Sequence, residues 1–280
     1  VAGVLALADP LSVLDAGTDW LIVDHYGLDQ RWEAAVRSHA PRILAIDDLA
    51  DRRHACDVLV DPGYGREAAA YADLVSPQTD LLLGSRYALL KPEFAKHHDA
   101  APRWPQRRRV HVFFGSGVAA VKWLARYCEW LLDGIADIEV RAVGRGDPRM
   151  MLDLGQRFAA RLDWQPQVDH MAAHMAECDA AVGAPGSATW ERACVGLPSA
   201  LITTAENQVP ILQELDRARF CRYLGSAWAL TAASFTVGVA AFLDDDRALC
   251  ELRARGVAAV DGRGVERIVR RLAAQRGTND

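Results

Sequence analysis

Short apolar runs rich in leucine, valine and isoleucine alternate with longer stretches of helical periodicity along most of the chain. Such alternation is typical of a parallel β-sheet that is covered by helices on both faces. The predicted strands lie at residues 20–23, 43–46, 58–60, 81–83, 110–114, 139–142, 180–182 and 199–202. The predicted helices lie at residues 31–39, 121–138, 148–160, 170–178, 188–195 and 208–218. The predicted fold class is therefore α/β.

The length of 280 residues exceeds what one hydrophobic core commonly supports. A proline- and arginine-rich stretch at residues 97–109 has no periodicity and is typical of a linker. We therefore predict one α/β domain at residues 1–100 and a second at residues 107–280, with the ligand between them. The basic face of the last helical stretch, residues 257–274, is interpreted as solvated.

The composition limits the partners that the chain can have. The net charge of −5 provides no basic excess for binding nucleic acid or an anionic membrane. No apolar run approaches the roughly 20 residues that span a bilayer, and the first residues lack the basic region of a signal peptide. These features predict a cytoplasmic protein without membrane insertion or a nucleic-acid partner.

Metal and disulfide sites are not expected from the sequence. The six cysteines include no C-x-x-C pair, which favours reduced, buried thiols and neither disulfides nor a structural zinc site. His170 and His174 have the spacing of two metal ligands on one helix, but surface histidines are the preferred interpretation. No metal and no cofactor are predicted.

Residues 176–208 contain the most informative stretch, in which an apolar strand enters the turn GAPGS and then a helix. Open backbone N–H groups at such a helix start favour an anion, above all a phosphate. Ser187 is also explained as a simple N-cap. A capping box would place its glutamate three residues after the cap, whereas Glu191 lies four after Ser187. Glu191 is then free to bind a ribose diol, and the spacing alone leaves both interpretations open.

Several motifs occur in a specific order along the chain. They are LIVDHYGLD at residues 21–29, ILAIDDLADRRHACDVLVDPGY at 43–64, LLLGSRYALLKPEF at 81–94, VHVFFGSG at 110–117, VGAPGSATWERACVGLPS at 182–199 and AENQ at 205–208. Together they resemble the UDP-sugar hydrolase family of pseudaminic acid biosynthesis, which cleaves UDP-2,4-diacetamido-2,4,6-trideoxy-β-L-altropyranose. The resemblance implies a glycosyltransferase-B architecture of two Rossmann-like domains facing across a cleft.

The same resemblance implies where the substrate binds. It places the diphosphate near Gly186 and Ser187, the ribose near Glu191, and Asn207 and Gln208 near the cleft. On the first domain it makes Tyr26 a catalytic or supporting residue. The full set of implied substrate-binding residues is Asp24, Gly115, Gly186, Ser187, Glu191, Asn207 and Gln208.

The implied reaction is attack of water on the anomeric carbon with UDP as the leaving group, without a metal. Family members begin with a G-x-G-H-x-x-R loop whose histidine is the general base, and this sequence lacks that motif, so an incomplete N-terminal domain is expected. The loop around Gly115 also lacks the family's G-G-x-D pattern. His25 is then the predicted substitute base, while Asp47 and Asp48 are interpreted as loop-ordering or sugar-contacting groups.

Two further functions stay open from the sequence. One is a glycosyltransferase of the same architecture, and the other is a non-catalytic module that binds a nucleotide sugar. The predicted partners are a UDP-sugar and UDP, and the predicted assembly is a monomer or homodimer.

Overall fold

A computed structural model describes residues 18–101, 108–117 and 120–275. The chain divides into two compact units: one from Val1–Ala88 and Gly264–Asp280, and one from Leu89–Arg263. This division falls before the predicted linker, of which residues 102–107 lie outside the described part. Arg108 and Arg109, which we assigned to that linker, are the first two residues of a strand.

The first unit contains a parallel sheet of four strands in sequential order. Its strands are β1 (Leu21–Asp24), β2 (Ile43–Ile46), β3 (Val58–Asp61) and β4 (Asp80–Leu83), and its helices are α1 (Gln30–Val36) and α10 (Gly264–Ala274). Two 3₁₀ turns lie at Ala68–Tyr71 and Ser85–Tyr87.

Both faces of this sheet are covered, as its continuous apolar strands predict. Ile43 and Leu59 pack on one side with Val36 of α1. Leu44 and Val58 alternate to the other side and pack with Ile268 of α10. The C-terminal helix therefore completes the core of the first unit, whereas the sequence prediction assigns this segment to the second domain. Its residues Arg270 and Arg271 are exposed, as expected for a solvated basic face.

The second unit contains six parallel strands in the order β10-β9-β8-β5-β6-β7. These are β5 (Arg108–Phe113), β6 (Ile138–Val143), β7 (Leu162–Gln165), β8 (Ala180–Gly183), β9 (Ser199–Thr203) and β10 (Arg222–Ser226). Its helices are α2 (Pro92–Lys96), α3 (Val121–Gly134), α4 (Pro148–Arg157), α5 (Met171–Ala176), α6 (Ser187–Val195), α7 (Gln208–Arg217), α8 (Ala232–Asp244) and α9 (Asp246–Ala259).

The chain order of these strands places a topological switch point between β5 and β8. From β5 the chain moves outward through β6 to β7, and then returns to β8 on the other side of β5. Open α/β sheets bind their ligands beyond the carboxyl ends of the strands at such a point. The loops after β5 and β8 are therefore the expected ligand loops of this unit.

The predicted strands are all present, and two further strands, β7 and β10, lie at the two edges of the second sheet. Both are partly exposed, so they lack the apolar runs by which the inner strands are recognised. Within the described ranges, no helix combines the length and the apolar character that crossing a bilayer requires.

Candidate functional site

The start of α6, which follows β8, depends on the backbone conformation of Gly186. This glycine has φ of +120°, a conformation that a residue with a side chain rarely adopts, and it is the N-cap of α6. The interpretation of Ser187 as the N-cap is therefore wrong, because Ser187 is the first helical residue. No side chain caps the helix, and the N–H of Thr189 donates to the carbonyl oxygen of Gly186 at 2.9 Å. The N–H groups of Ser187 and Ala188, which come before Thr189, have no acceptor within the helix.

Gly115, in the loop after β5, resembles Gly186 in its backbone conformation and in the open space around it. Its φ is +102°, and a Cβ atom at Gly115 or at Gly186 would meet no atom within 4 Å. The two glycines follow β5 and β8, which are neighbours in the sheet. The structure thus places two predicted substrate-binding glycines on either side of the switch point.

Gly183 explains how closely β5 and β8 approach each other. A Cβ atom at this position would lie 1.9 Å from the carbonyl oxygen of Phe113. The buried guanidinium of Arg192 lies beneath the same loops and donates to the carbonyl oxygens of Ala184, at 3.2 Å, and of Phe113, at 3.4 Å. Burial lowers the pKa of Arg192 to about 10. Neither residue was selected from the sequence, although Arg192 is part of the TWER motif.

Glu191 lies one turn into α6 and is partly buried. Burial raises the pKa of its carboxyl, while the charges of Arg192 and Lys91 act in the opposite direction. Within the described part of the chain, the carboxylate accepts no hydrogen bond and forms no salt bridge. It is thus available to a ligand at the helix tip.

Asn207 and Gln208 follow β9, at the same edge of the sheet. Asn207 is exposed, and its side chain does not cap α7. The Gln208 side chain folds back, and its Oε1 accepts from the backbone N–H of Thr204 at 2.8 Å and of Ala205 at 3.2 Å. Gln208 therefore orders its own loop and leaves its amide N–H groups for a ligand.

The carboxyl edge of the first unit is built around two buried aspartates. The hydroxyl of Tyr71 lies 2.9 Å from Oδ2 of Asp47 and 2.8 Å from Oδ2 of Asp61. Arg52 pairs with Asp47 at 2.7 Å, and Arg66 pairs with Asp61 at 2.5 Å. This network joins the loops after β2 and β3, so Asp47 has the loop-ordering role that we considered for it.

Asp48 and Tyr26 form a more accessible pair at the same edge. The Tyr26 side chain is 66% exposed, and its hydroxyl donates to Oδ2 of Asp48 at 3.3 Å. Burial raises the pKa of Tyr26 to about 12, with Asp48 contributing. Burial also raises the pKa of Asp48, and the nearby charges of Asp47 and Asp61 act in the same direction. Asp48 therefore has the features of a proton acceptor, which the sequence did not distinguish from those of Asp47.

His25 and Asp24 lie beside this pair. Asp24 is the exposed last residue of β1. Nδ1 of His25 accepts from the N–H of Gly27 at 2.9 Å. With Nδ1 as acceptor, the neutral imidazole carries its proton on Nε2. In this arrangement His25 is a hydrogen-bond donor at Nε2 and acts as a base only if the turn to Gly27 opens.

His174, which we interpreted as a surface histidine, is buried in the second unit. His170 is exposed, and its Nδ1 lies 3.6 Å from the carboxylate of Glu93. The two histidines therefore face different surroundings and do not form the pair that their spacing suggested.

Solved structures with the same fold support this description. MurG of Acinetobacter baumannii has a TM-score of 0.62 and 14% identity, over 91% of this chain and 74% of that protein. A putative UDP-N-acetylglucosamine 2-epimerase from Listeria monocytogenes has a TM-score of 0.62 and 12% identity, over 94% of this chain and 75% of that protein. The structure of S. aureus MnaA with UDP has a TM-score of 0.59 and 12% identity, over 90% of this chain and 74% of that protein.

No family model matches the sequence, and no curated protein matches it significantly. The structural similarities establish the predicted fold class, an α/β fold with two parallel sheets of glycosyltransferase-B type.

Proposed function

We propose that the second unit binds the UDP group of a nucleotide sugar at the carboxyl edge of its sheet. The observation that carries this proposal is the uncapped start of α6 at the switch point, next to the open loop of Gly115. Unpaired N–H groups and the positive end of the helix dipole favour a diphosphate at this position. The S. aureus MnaA structure contains UDP, which supports a uridine nucleotide as the ligand.

The proposed contacts follow from the side chains around the helix tip. The N–H groups that begin α6 bind the diphosphate, and the carboxylate of Glu191 accepts the ribose hydroxyls. Asn207 and the amide N–H groups of Gln208 lie on the loop after β9 and provide further polar contacts. This assignment retains the diphosphate and ribose contacts that the sequence resemblance implies.

The proposed reaction is hydrolysis of the UDP-sugar at its anomeric carbon. Water forms a bond to this carbon while the bond to the diphosphate oxygen breaks, and the electron pair leaves with UDP. The products are UDP and 2,4-diacetamido-2,4,6-trideoxy-L-altrose, an intermediate of pseudaminic acid biosynthesis. Support for this particular reaction comes from the ordered motifs of the sequence, from DHYG through TWER to AENQ.

We infer that the first unit supplies the base through Tyr26 and Asp48. The exposed phenol of Tyr26 accepts a proton from the attacking water as it passes its own proton to Asp48. Its high pKa keeps Tyr26 protonated before the reaction, so Asp48 is the final acceptor. His25 lies beside this pair and supports the sugar through its Nε2–H.

The experiment measures UDP release from the UDP-linked sugar, without an added acceptor, for the wild type, Asp48→Asn and His25→Ala. Loss of a general base costs about 10² to 10⁴ in rate. We expect a loss of this size for Asp48→Asn and a loss of less than about tenfold for His25→Ala. The opposite result would assign the base to His25. If the wild type binds UDP but does not release UDP from the UDP-linked sugar, the hydrolase proposal is wrong, and the protein is a nucleotide-sugar-binding module or a transferase.

Tyr26→Phe removes the group that relays the proton, so it should lose rate as Asp48→Asn does, and the pH profile of its residual activity tests the pairing with Asp48. Asp48 acts as a base when ionised, so the rate rises with pH through its pKa. The hydrogen bond from Tyr26 lowers this pKa, and its removal therefore shifts the acidic limb of the profile to higher pH. An unshifted limb in Tyr26→Phe, measured as kcat/KM against pH, would contradict the pairing.

A further inference from the structure

Three potential metal ligands meet inside the second unit, apart from the proposed substrate site. They are the imidazoles of His111 and His174 and the thiol of Cys178, and one ligand atom from each lies within 4.8 Å of the others. All three residues are buried, with His111 fully enclosed and His174 7% exposed. Nothing in the sequence analysis assigned a function to His111 or Cys178.

The local structure explains why these residues come together. Val110 and Val112 of β5 point into the core formed with α3, so His111 between them points to the opposite face of the sheet. His174 lies on α5, and Cys178 lies two residues beyond the end of this helix, where its backbone N–H donates to the carbonyl oxygen of Met175 at 3.0 Å. The rings of His111 and His174 meet edge to face, with 5.2 Å between their centroids.

The polar atoms of this cluster lack the partners that buried groups normally have. Within the described residues, none of the ring nitrogens of His111 and His174 has a hydrogen-bond partner. The Cys178 thiol donates to the carbonyl oxygen of His174, at 3.4 Å. A buried polar group without a partner costs about 1–3 kcal/mol. One metal ion would take one ring nitrogen of each histidine, and the unpartnered nitrogens therefore point to a missing ligand.

We propose that His111, His174 and Cys178 bind one zinc ion. Two imidazole nitrogens and one thiolate are ligands of zinc and other late transition metals, and not of Ca²⁺ or Mg²⁺. Tetrahedral bond lengths to zinc require ligand atoms about 3.3–3.5 Å apart. The side chains therefore need to close by up to about 1.5 Å around the ion.

The surrounding charges set the conditions for binding. Burial and the charges of Arg192 and Arg141 lower the pKa of the histidines, which leaves both imidazoles neutral with a free lone pair. Burial raises the pKa of the Cys178 thiol to about 12. Zinc binding must then displace the thiol proton, and the resulting thiolate offsets one charge of the ion beside the two arginines. The bound ion would link α5, through His174, to β5, through His111, and would stabilise their packing. It has no part in the proposed hydrolysis.

The test titrates Co²⁺, a spectroscopic substitute for Zn²⁺, into the full chain after treatment with a chelator. We expect one equivalent to bind, with a thiolate-to-cobalt charge-transfer band and tetrahedral ligand-field bands, and Zn²⁺ to abolish both. Binding should release one proton per ion. Loss of an outer-shell partner costs about 10- to 100-fold in affinity, and loss of a ligand in Cys178→Ser or His174→Ala should cost more.

Cys221→Ser is the matched control, because Cys221 is also a buried free cysteine but lies outside the cluster. It should retain the cobalt spectrum. Absence of binding to the folded wild type, checked by circular dichroism, would overturn the proposal, and so would a thiolate band that persists in Cys178→Ser. If Cys178→Ser does not fold, zinc-edge X-ray absorption of the wild type decides, since the proposal requires two nitrogen ligands and one sulfur ligand.

Discussion

In the second unit the carboxyl edge of the sheet consists of glycine loops and an uncapped helix start, whereas in the first unit it consists of buried carboxylates held by arginines and a tyrosine. The N–H groups around Gly186 are donors and attract an anion. At the edge of the first unit Asp47 and Asp61 are paired with Arg52 and Arg66, whereas Asp48 forms no salt bridge within the described residues and repels an anion. Two parallel sheets of similar design therefore provide opposite electrostatic environments.

This difference underlies the separate chemical roles that we propose for the two units. A diphosphate leaving group needs donors and positive partial charge, which we propose the second unit supplies from its backbone. An attacking water needs a proton acceptor, for which we propose Asp48 of the first unit, whose pKa is raised by burial. The buried network of Asp47, Asp61 and Tyr71 holds the loop that carries this acceptor.

The largest expected loss of stability comes from adding a side chain at Gly183, where the backbones of β5 and β8 are in close contact. Gly183→Ala places a methyl group 1.9 Å from the carbonyl oxygen of Phe113, so we expect a loss of about 3 kcal/mol or more in the free energy of unfolding. Gly155→Ala is the control, since its Cβ meets no atom within 4 Å in α4. It should gain up to about 1 kcal/mol from helix propensity. Equal stability of the two variants in urea unfolding would refute the close approach of β5 and β8.

A smaller effect is expected from the tyrosine of the first unit. Tyr71→Phe removes the hydroxyl that bonds two buried carboxylates, and hydrogen bonds to charged groups contribute about 1.5–3 kcal/mol. Tyr127→Phe, in the second unit, is the matched control. Its hydroxyl is buried without a hydrogen-bond partner in the described structure, so its removal should be neutral or stabilising. Thermal or urea unfolding measures both, and a stable Tyr71→Phe would show that the network does not order this edge.

The sequence predicted the inner strands and the glycine loops well because both have local signals. Apolar runs of three or four residues mark β2, β3 and β8, and the turn GAPGS marks the start of α6. The edge strands β7 and β10 were not predicted because none of their residues is fully buried and neither has a continuous apolar run. The return of α10 to the first unit depends on where Ile268 packs, and no local pattern encodes that contact.

The side-chain pairs of the candidate sites were harder to predict. Asp47 and Asp48 are adjacent and chemically identical, so only the fold distinguishes a buried aspartate from one that contacts Tyr26. His174 and Cys178 do have a helical spacing that sequence analysis can detect, but His111 joins them from a strand more than sixty residues earlier. Long-range pairs of this kind require the three-dimensional arrangement.

The most direct test of the anion site separates the backbone of Ser187 from its side chain. Proline is tolerated at the first helical position, which Ser187 occupies, and the ψ of Gly186 before it, −159°, lies far from the helical values that a following proline disfavours. Ser187→Pro therefore removes one N–H donor and preserves the helix, while Ser187→Ala removes only the hydroxyl. Calorimetric titration of UDP into both variants and the wild type should show a loss of about 1.5–3 kcal/mol in binding free energy for Ser187→Pro, and almost none for Ser187→Ala. Unchanged UDP affinity in a folded Ser187→Pro would contradict the central claim that the start of α6 binds the diphosphate.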